Sequence, residues 1–295
     1  MKPFGRFLRG FKEAYCHKGG IKALALGDIE PAWFEEIRRE VDWIIESQAS
    51  SNVTDPKHTT NWTKPRGRAR QFSLYNPTGK SDEYLSDFTS PKQVPKRLTF
   101  PELKGIARFA GLFGDELLNL RLNGLGTSSS LSLHEEDPIV PGPSGRTFYA
   151  RFHLPIRTSH EARMLLDGEH FAFEAGRLYF FHHGCVHAAV NDASTPRYHF
   201  VLDCELTASL FDRLFPGSTR PAPDRGFLPL DEVQARELCV GTPMQFGEFV
   251  TVTGRKITGI DYGRRVPSAA QWYRANYPSL FRPIDRLLQR PVGAP

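Results

Sequence analysis

Five short segments decide how this chain is read: Ser132-Leu133-His134-Glu135-Glu136-Asp137, Tyr149-Ala150-Arg151-Phe152-His153-Leu154-Pro155-Ile156, Arg177-Leu178-Tyr179-Phe180-Phe181, Cys185-Val186-His187-Ala188-Ala189-Val190 and Arg197-Tyr198-His199-Phe200-Val201-Leu202-Asp203-Cys204. Apolar and aromatic runs bounded by turn formers such as Gly176 and Pro196 are the marks of strands. Alternation is clean in two of them. In 149–156, Phe152, Leu154 and Ile156 fall on one face, with Arg151 and His153 on the other. In 197–204, Tyr198, Phe200, Leu202 and Cys204 oppose Arg197, His199 and Asp203. Successive side chains of a strand point to opposite sides, so each strand has one apolar face and one ionisable face. In a sandwich the ionisable face meets water; in a barrel with an internal chamber it lines that chamber. Alternation alone leaves both open.

The ionisable residues are ordered in a telling way. His134 and Glu136 share a face of an extended segment, His187 follows about fifty residues later, and Arg197 lies ten residues beyond it. Two imidazoles and one carboxylate leave coordination positions open, which is how a non-haem Fe(II) oxygenase holds its metal. The planar fork of an arginine matches a second carboxylate. Each piece also has a plainer reading. Glu135-Glu136-Asp137 reads as a solvated acidic patch. His182, His183 and His187 lie so close that spacing does not choose among them. His187 leads because it sits in an apolar run, where an unpaired imidazole is costly to bury, although a satisfied core histidine fits that evidence equally well. Glu135 or Asp137 would take the place of Glu136 if the strand were bulged.

Order and spacing together narrow this. The pieces His134-x-Glu136, Arg151-Phe152-His153-Leu154-Pro155-Ile156, Gly176-Arg177-Leu178-Tyr179-Phe180-Phe181, His187-x-x-x-Asn191 and Arg197 with Val201-Leu202-Asp203-Cys204 resemble the aspartyl/asparaginyl β-hydroxylase family of Fe(II)/2-oxoglutarate oxygenases. That family also includes small bacterial amino-acid hydroxylases such as proline hydroxylases. The resemblance runs over residues 120–206. It implies a mainly β fold with flanking helices, a double-stranded β-helix (a jelly-roll, cupin-like barrel) of two antiparallel sheets around a metal. It also implies Fe(II) held by His134, Glu136 and His187, with 2-oxoglutarate and O2 as cosubstrates, and Arg197 on the distal carboxylate of 2-oxoglutarate. Arg151 and His153 would face the chamber, His153 nearer the cosubstrate and Arg151 nearer a substrate carboxylate. A buried ion pair or a place at the barrel rim is their alternative. Some members carry a serine on the preceding strand that assists the cosubstrate; the nearest match is Asn123. Some lack the carboxylate ligand, so Glu136 follows the amino-acid hydroxylase branch. The Pro- and Gly-rich stretch 138–145 lengthens the gap between His134 and Arg151 and bears on the substrate mouth.

The implied reaction is hydroxylation of an unactivated carbon of an amino acid or amino-acid-derived small molecule. A carboxylate at Glu136 argues against halogenation, which needs that position open. A non-catalytic cupin-type barrel binding a small anion, and an oxygenase acting on a protein or RNA, are the alternatives.

The rest of the chain sets bounds. With 295 residues, 40% hydrophobic and 24% charged, it has the make-up of a soluble globular protein with a substantial core. A net charge of +5 favours acidic small molecules or an acidic partner, and is too small to argue for nucleic acid. Cys16, Cys185, Cys204 and Cys239 form no CxxC pair, so neither a zinc site nor a disulfide framework is indicated and a reducing cytoplasm fits. No apolar run approaches the roughly 18 residues of a membrane span. The N-terminus, with Phe4, Phe7, Leu8 and Phe11 among Lys2, Arg6, Arg9 and Lys12, reads as a docked or frayed helix.

Three regions are expected. Residues 1–119 form a helical and loop region on the barrel, 120–215 the barrel itself, and 216–295 a C-terminal extension, helical with a short strand. A helix is expected over 29–47, from Pro31 near its start and the stripe Ile37, Val41, Ile44 and Ile45. Residues 48–71 read as polar loop, and 64–70 within them as a basic patch, or as a loop that offers an arginine to the barrel mouth. Residues 76–100 look irregular, and 102–121 helical with a break at Gly114-Asp115, before a strand from Leu120. A linker is expected over 216–229, a helix from Leu230, a strand over 249–253 and a helix over 269–288. The extension would pack on the barrel, serve as a lid or make a homodimer surface.

Overall fold

A computed structural model of the chain describes residues 3–15, 20–52, 69–83, 94–131, 136, 138–142, 145–216 and 226–243. The helices are α1 (Pro3–Tyr15), α2 (Pro31–Ser47), α3 (Lys104–Gly111), α4 (Ala208–Leu214) and α5 (Glu232–Glu237). The strands are β1 (Ala23–Ile29), β2 (Ser51–Asn52), β3 (Ala69–Asn76), β4 (Arg97–Leu98), β5 (Leu117–Leu125), β6 (Ser129–Ser130), β7 (Ile139–Gly142), β8 (Gly145–Arg157), β9 (Ala162–Leu166), β10 (Glu169–Ala172), β11 (Arg177–Phe181), β12 (His187–Asn191), β13 (Arg197–Glu205), β14 (Phe227–Pro229) and β15 (Thr242–Pro243). The larger sheet runs β14-β1-β11-β8-β13-β5-β3-β2, with β4 on β3 and β7 on β8. The smaller runs β15-β10-β9-β12-β6. Neighbouring strands are antiparallel throughout both sheets. This is the mainly β, two-sheet architecture with flanking helices that the segments imply.

The alternation read from the sequence divides the two faces of the larger sheet. Its outer face carries Leu120, Leu122, Phe152, Leu154, Phe180, Phe200 and Leu202, packed with Phe7 and Phe11 of α1, Trp33, Ile37 and Val41 of α2, Phe109 of α3 and Leu210 of α4 in one core cluster. At roughly 1.5–3 kcal/mol per fully buried large apolar side chain, this cluster dominates the stability of the fold. Its inner face meets the smaller sheet through a second cluster, in which Leu125, Tyr179 and Phe181 touch Met164, Leu166 and Ala189. The ionisable groups share that inner face.

Several boundaries differ from the sequence reading. β1 and β3 lie before residue 120 yet belong to the larger sheet. β1 is largely buried on both sides and so shows no polar alternation. β3 begins inside the stretch read as loop, because its polar residues face inward. The helix expected to 121 stops at Gly111, a 3-10 turn over Gly114–Glu116 follows with Gly114 at φ +56°, and β5 begins at Leu117. Within the stretch 138–145, β7 pairs with the start of β8, Ile139 opposite Phe148 and Gly142 opposite Gly145. The expected linker contains β14, which pairs with β1. It does so closely: a Cβ on Gly27 would lie 2.5 Å from the Phe227 ring and 2.6 Å from the Leu228 carbonyl oxygen. α1 is docked, with Phe7 5.2 Å from Phe180 and 4.5 Å from Phe215, centroid to centroid. The expected strand over 249–253 and helix over 269–288 lie outside the described residues. No helix among the described residues is long and apolar enough to cross a membrane.

Candidate active site

Strand register builds the inner face as rows. Asp203 of β13 lies opposite Asn119 of β5 on one side and Arg151 of β8 on the other. Val201 lies between Arg121 and His153, and His199 lies opposite Asn123. Tyr179 and Phe181 of β11 continue the rows beyond His153 and Arg151. β12 faces this wall with His187, whose ring is 5.2 Å from Phe181.

The three histidines differ in their surroundings, and both ring nitrogens of His183 are buried without a partner among the described residues. His182 stacks on Phe11 at 4.0 Å, with its Nε2 2.9 Å from the Phe11 carbonyl, so it ties α1 to the sheet. His183 is fully buried against Tyr149 at 4.3 Å; burial, and after it the positive Arg151, push its pKa down to about 3. His187 Nδ1 lies 2.9 Å from the Cys185 carbonyl. That contact assigns the proton to Nδ1 and makes Nε2 the basic nitrogen, the arrangement that orients metal-binding imidazoles. Nε2 lies 4.0 Å from Oε1 of Glu136. Two atoms bound to one ion at roughly 2.0–2.2 Å each lie about 3.0–3.6 Å apart at right or tetrahedral angles, so this pair would have to close by a few tenths of an ångström or more to share a cation. His134, Glu135 and Asp137 lie outside the described residues. Among the described residues no group of three metal-binding side chains gathers; of the three residues expected as ligands, Glu136 and His187 are described and lie 4.0 Å apart.

Arg197 is 4% exposed. Its Nε lies 3.0 Å from His199 Nε2, and its Nη2 lies 2.8 Å from His199 Nδ1 and 3.0 Å from Met164 Sδ. No acid pairs with it among the described residues, and burial pushes its pKa down to about 9. A guanidinium stays protonated at neutral pH, so this site carries a buried positive charge suited to an incoming anion. Between Arg197 and His187 lies His153, with its ring 5.9 Å from His199 and 5.1 Å from Phe181. Both ring nitrogens of His153 are buried without a protein partner, as is Oδ1 of Asn123. Burial, then the charges of Arg197, Arg151 and Arg121, keep His153 neutral, well below its ordinary pKa. The unpaired guanidinium and the unpartnered polar atoms together fit a small dicarboxylate.

Arg151 is otherwise engaged. Its Nη1 and Nη2 donate to the two Glu136 oxygens at 2.6 and 2.8 Å, and its Nε and Nη2 donate to Asp203 at 2.7 and 3.3 Å. Asp203 Oδ2 also accepts from Arg121 Nη2 at 2.6 Å and Asn119 Nδ2 at 2.9 Å. Burial would raise the pKa of fully buried Asp203, but Arg151 and Arg121 outweigh it and hold the carboxyl below its ordinary value. Arg121 and Asn119 escaped the sequence reading because a helix was drawn through them. With β5 starting at Leu117, Asn119, Arg121 and Asn123 alternate onto the inner face like the residues of β8 and β13. Of the basic stretch 64–70, the described part is Ala69 and Arg70. Arg70 lies 4.7 Å from the centre of the Phe72 ring and donates to Ser50 and the Ile45 carbonyl.

A family model described as Aspartyl/Asparaginyl beta-hydroxylase matches residues 32–206. No curated protein matches the chain. Among solved structures, the alpha-ketoglutarate-dependent epimerase SnoN from nogalamycin biosynthesis is 12% identical, with TM-score 0.43, over 79% of this chain and 98% of that one. A prolyl hydroxylase from Trichoplax adhaerens is 12% identical, with TM-score 0.38, over 70% and 94%. A 2OG-Fe(II) oxygenase family protein from Burkholderia pseudomallei is 11% identical, with TM-score 0.36, over 57% and 78%. All three scores lie below 0.5.

Proposed function

Because this chain belongs to the aspartyl/asparaginyl β-hydroxylase family of Fe(II)/2-oxoglutarate oxygenases, we propose that it hydroxylates an unactivated carbon of an amino acid or an amino-acid-derived small molecule. The observation that carries the cosubstrate half of this reading is Arg197, a buried guanidinium with no acidic partner among the described residues, on the same inner face as His153 and Asp203. His134, Glu136 and His187 would hold the iron. Arg197 would clamp the distal carboxylate of 2-oxoglutarate, and neutral His153 and Asn123 would complete its polar contacts. Iron held there would supply, together with 2-oxoglutarate and O2, the chemistry of C–H hydroxylation with succinate and CO2 as coproducts.

The chain's own residues supply orientation and exclusion of water. His187 is held by its Nδ1 contact, so Nε2 presents one lone pair in a fixed direction. Phe181, Met164 and Leu166 wall off the chamber, which keeps a reactive site dry and strengthens the Arg197–carboxylate pair. Arg151 was the expected contact for a substrate carboxylate. Its fork is engaged by Glu136 and Asp203, and it would serve a substrate only through what Glu136 leaves exposed.

The test is iron loading under anaerobic conditions with 2-oxoglutarate, then oxygenation with a panel of free amino acids while succinate and hydroxylated product are followed. Acceleration of both by one amino acid is the expected result. Succinate release that no amino acid accelerates, alongside acceleration by a peptide or RNA, would overturn the substrate class.

A further inference from the structure

The sheets fix most of the site, but not Glu136. His187, Arg197, His153 and Asp203 stand on regular strands, whereas Glu136 belongs to none. Its backbone N–H donates to the His183 carbonyl at 3.2 Å. Its carboxylate is 30% exposed and is held by both Nη atoms of Arg151. Arg151 in turn is gripped through Nε and Nη2 by Asp203, which is fully buried. Asp203 itself is braced by Asn119 and Arg121, both donating to Oδ2 from the neighbouring strand. Two arginines and two acids leave this cluster without net charge. The spatial order is wall, carboxylate, guanidinium, carboxylate, chamber.

We infer that Asp203 is a positioning residue for the metal centre: through Arg151 it aims the Glu136 carboxylate at the ion that His187 binds. Asp203 touches neither metal nor substrate in this arrangement, and Arg151 acts on the ligand rather than on substrate. The inference rests on the reading of Glu136 as a ligand. A carboxylate oxygen has two lone pairs, so each Glu136 oxygen accepts from Arg151 and retains one for a cation. Partners behind a metal ligand commonly change metal affinity by about 10–100-fold when removed.

The experiment is Mn(II) titration of the full-length protein, read by the EPR signal of free Mn(II), with the Co(II) absorption spectrum as a second readout. Asp203→Asn should weaken Mn(II) binding by about tenfold or more and shift the Co(II) spectrum towards that of Glu136→Ala. Placed on Glu136→Ala, Asp203→Asn should add nothing, because the route through Glu136 is already cut. Arg151→Lys keeps the charge and loses the fork, so it should reproduce the loss if Asp203→Asn does not fold. Unchanged Mn(II) affinity in folded Asp203→Asn or Arg151→Lys overturns the inference, and so does an equal loss on both backgrounds. If Glu136→Ala keeps full affinity while His187→Ala loses it, Glu136 is not a ligand and the relay falls, with the hydroxylase reading intact. If His187→Ala also keeps full affinity, the metal site itself is misassigned.

Discussion

Replacing Arg197 by methionine separates the demands of the fold from those of the ligand. Burial alone drives this guanidinium from 12.5 to about 9, with no acid to offset it among the described residues. For a cation, a depressed pKa means that folding disfavours the charged form; a fall of that size corresponds to roughly 5 kcal/mol as an upper limit. Buried charges replaced by apolar side chains of similar volume usually return about 1–4 kcal/mol, and some of that gain is lost here with the contacts to His199 and Met164. The variant without ligand should therefore melt at or above the wild-type temperature. The ligand response should move the other way. Wild type at a hundredfold excess of 2-oxoglutarate over its Kd, with Mn(II) to prevent turnover, gains about 2.7 kcal/mol. For a chain of this size that is about 4–5 °C in Tm. Loss of a charge-assisted carboxylate pair costs about 2 kcal/mol or more, or roughly 30-fold in Kd. At the same concentration the variant should gain less than about 1 kcal/mol. Differential scanning fluorimetry with and without 2-oxoglutarate reads both quantities. A variant that melts several degrees below wild type yet keeps the full ligand shift would show that Arg197 serves the fold and not the cosubstrate.

His187→Ala should abolish Mn(II) binding in equilibrium dialysis, whereas His183→Ala should retain it, because the His183 ring packs on Tyr149 and it is the His183 carbonyl that meets the Glu136 N–H; the reverse result would move the metal site. Asp203 has a depressed pKa, so its contribution to stability is fully present above 3.8 and is lost as pH falls through its folded value. Urea unfolding should show stability falling below that point, and Asp203→Asn, though less stable at neutrality, should show a shallower acid loss. Gly27→Ala should cost about 1–3 kcal/mol in thermal unfolding, because its Cβ would lie 2.6 Å from the Leu228 carbonyl oxygen; an unaffected Tm would mean that β14 is loosely held.

The barrel strands were legible because β8 and β13 obey the period-two rule, with a core on one side and a chamber on the other. β1 was not, since a strand buried on both sides loses that contrast. β3 and the first part of β5 were hidden for a related reason: an inner face of Gln71, Ser73, Asn119 and Arg121 looks like loop or amphipathic helix until the chamber is known. His187 stands out by its apolar run, and Arg197 and His153 by strand alternation together with the family resemblance. The engagement of Arg151 could not, because it depends on Asp203, which sequence shows only as one more polar residue on the same strand. Nor could Glu40, which accepts from the Gly105 and Ile106 N–H groups at 2.9 and 2.8 Å and caps α3 from another helix.

The family match spans 32–206, but the antiparallel pairing does not stop there. β1 precedes the matched segment and β14 follows it, and the two zip together along β11, whose Tyr179 and Phe181 line the chamber. A version of the protein trimmed to the matched residues would strip two strands from that end of the larger sheet and turn β11 into a bare edge. It would also uncover Phe180 by removing Phe7 and Phe11. Unpaired N–H and C=O groups beside an exposed aromatic row are a template for adding strands from other molecules. The smallest autonomous folding unit therefore exceeds the conserved-family boundary at both ends, and a trimmed protein should aggregate on expression rather than yield a minimal enzyme.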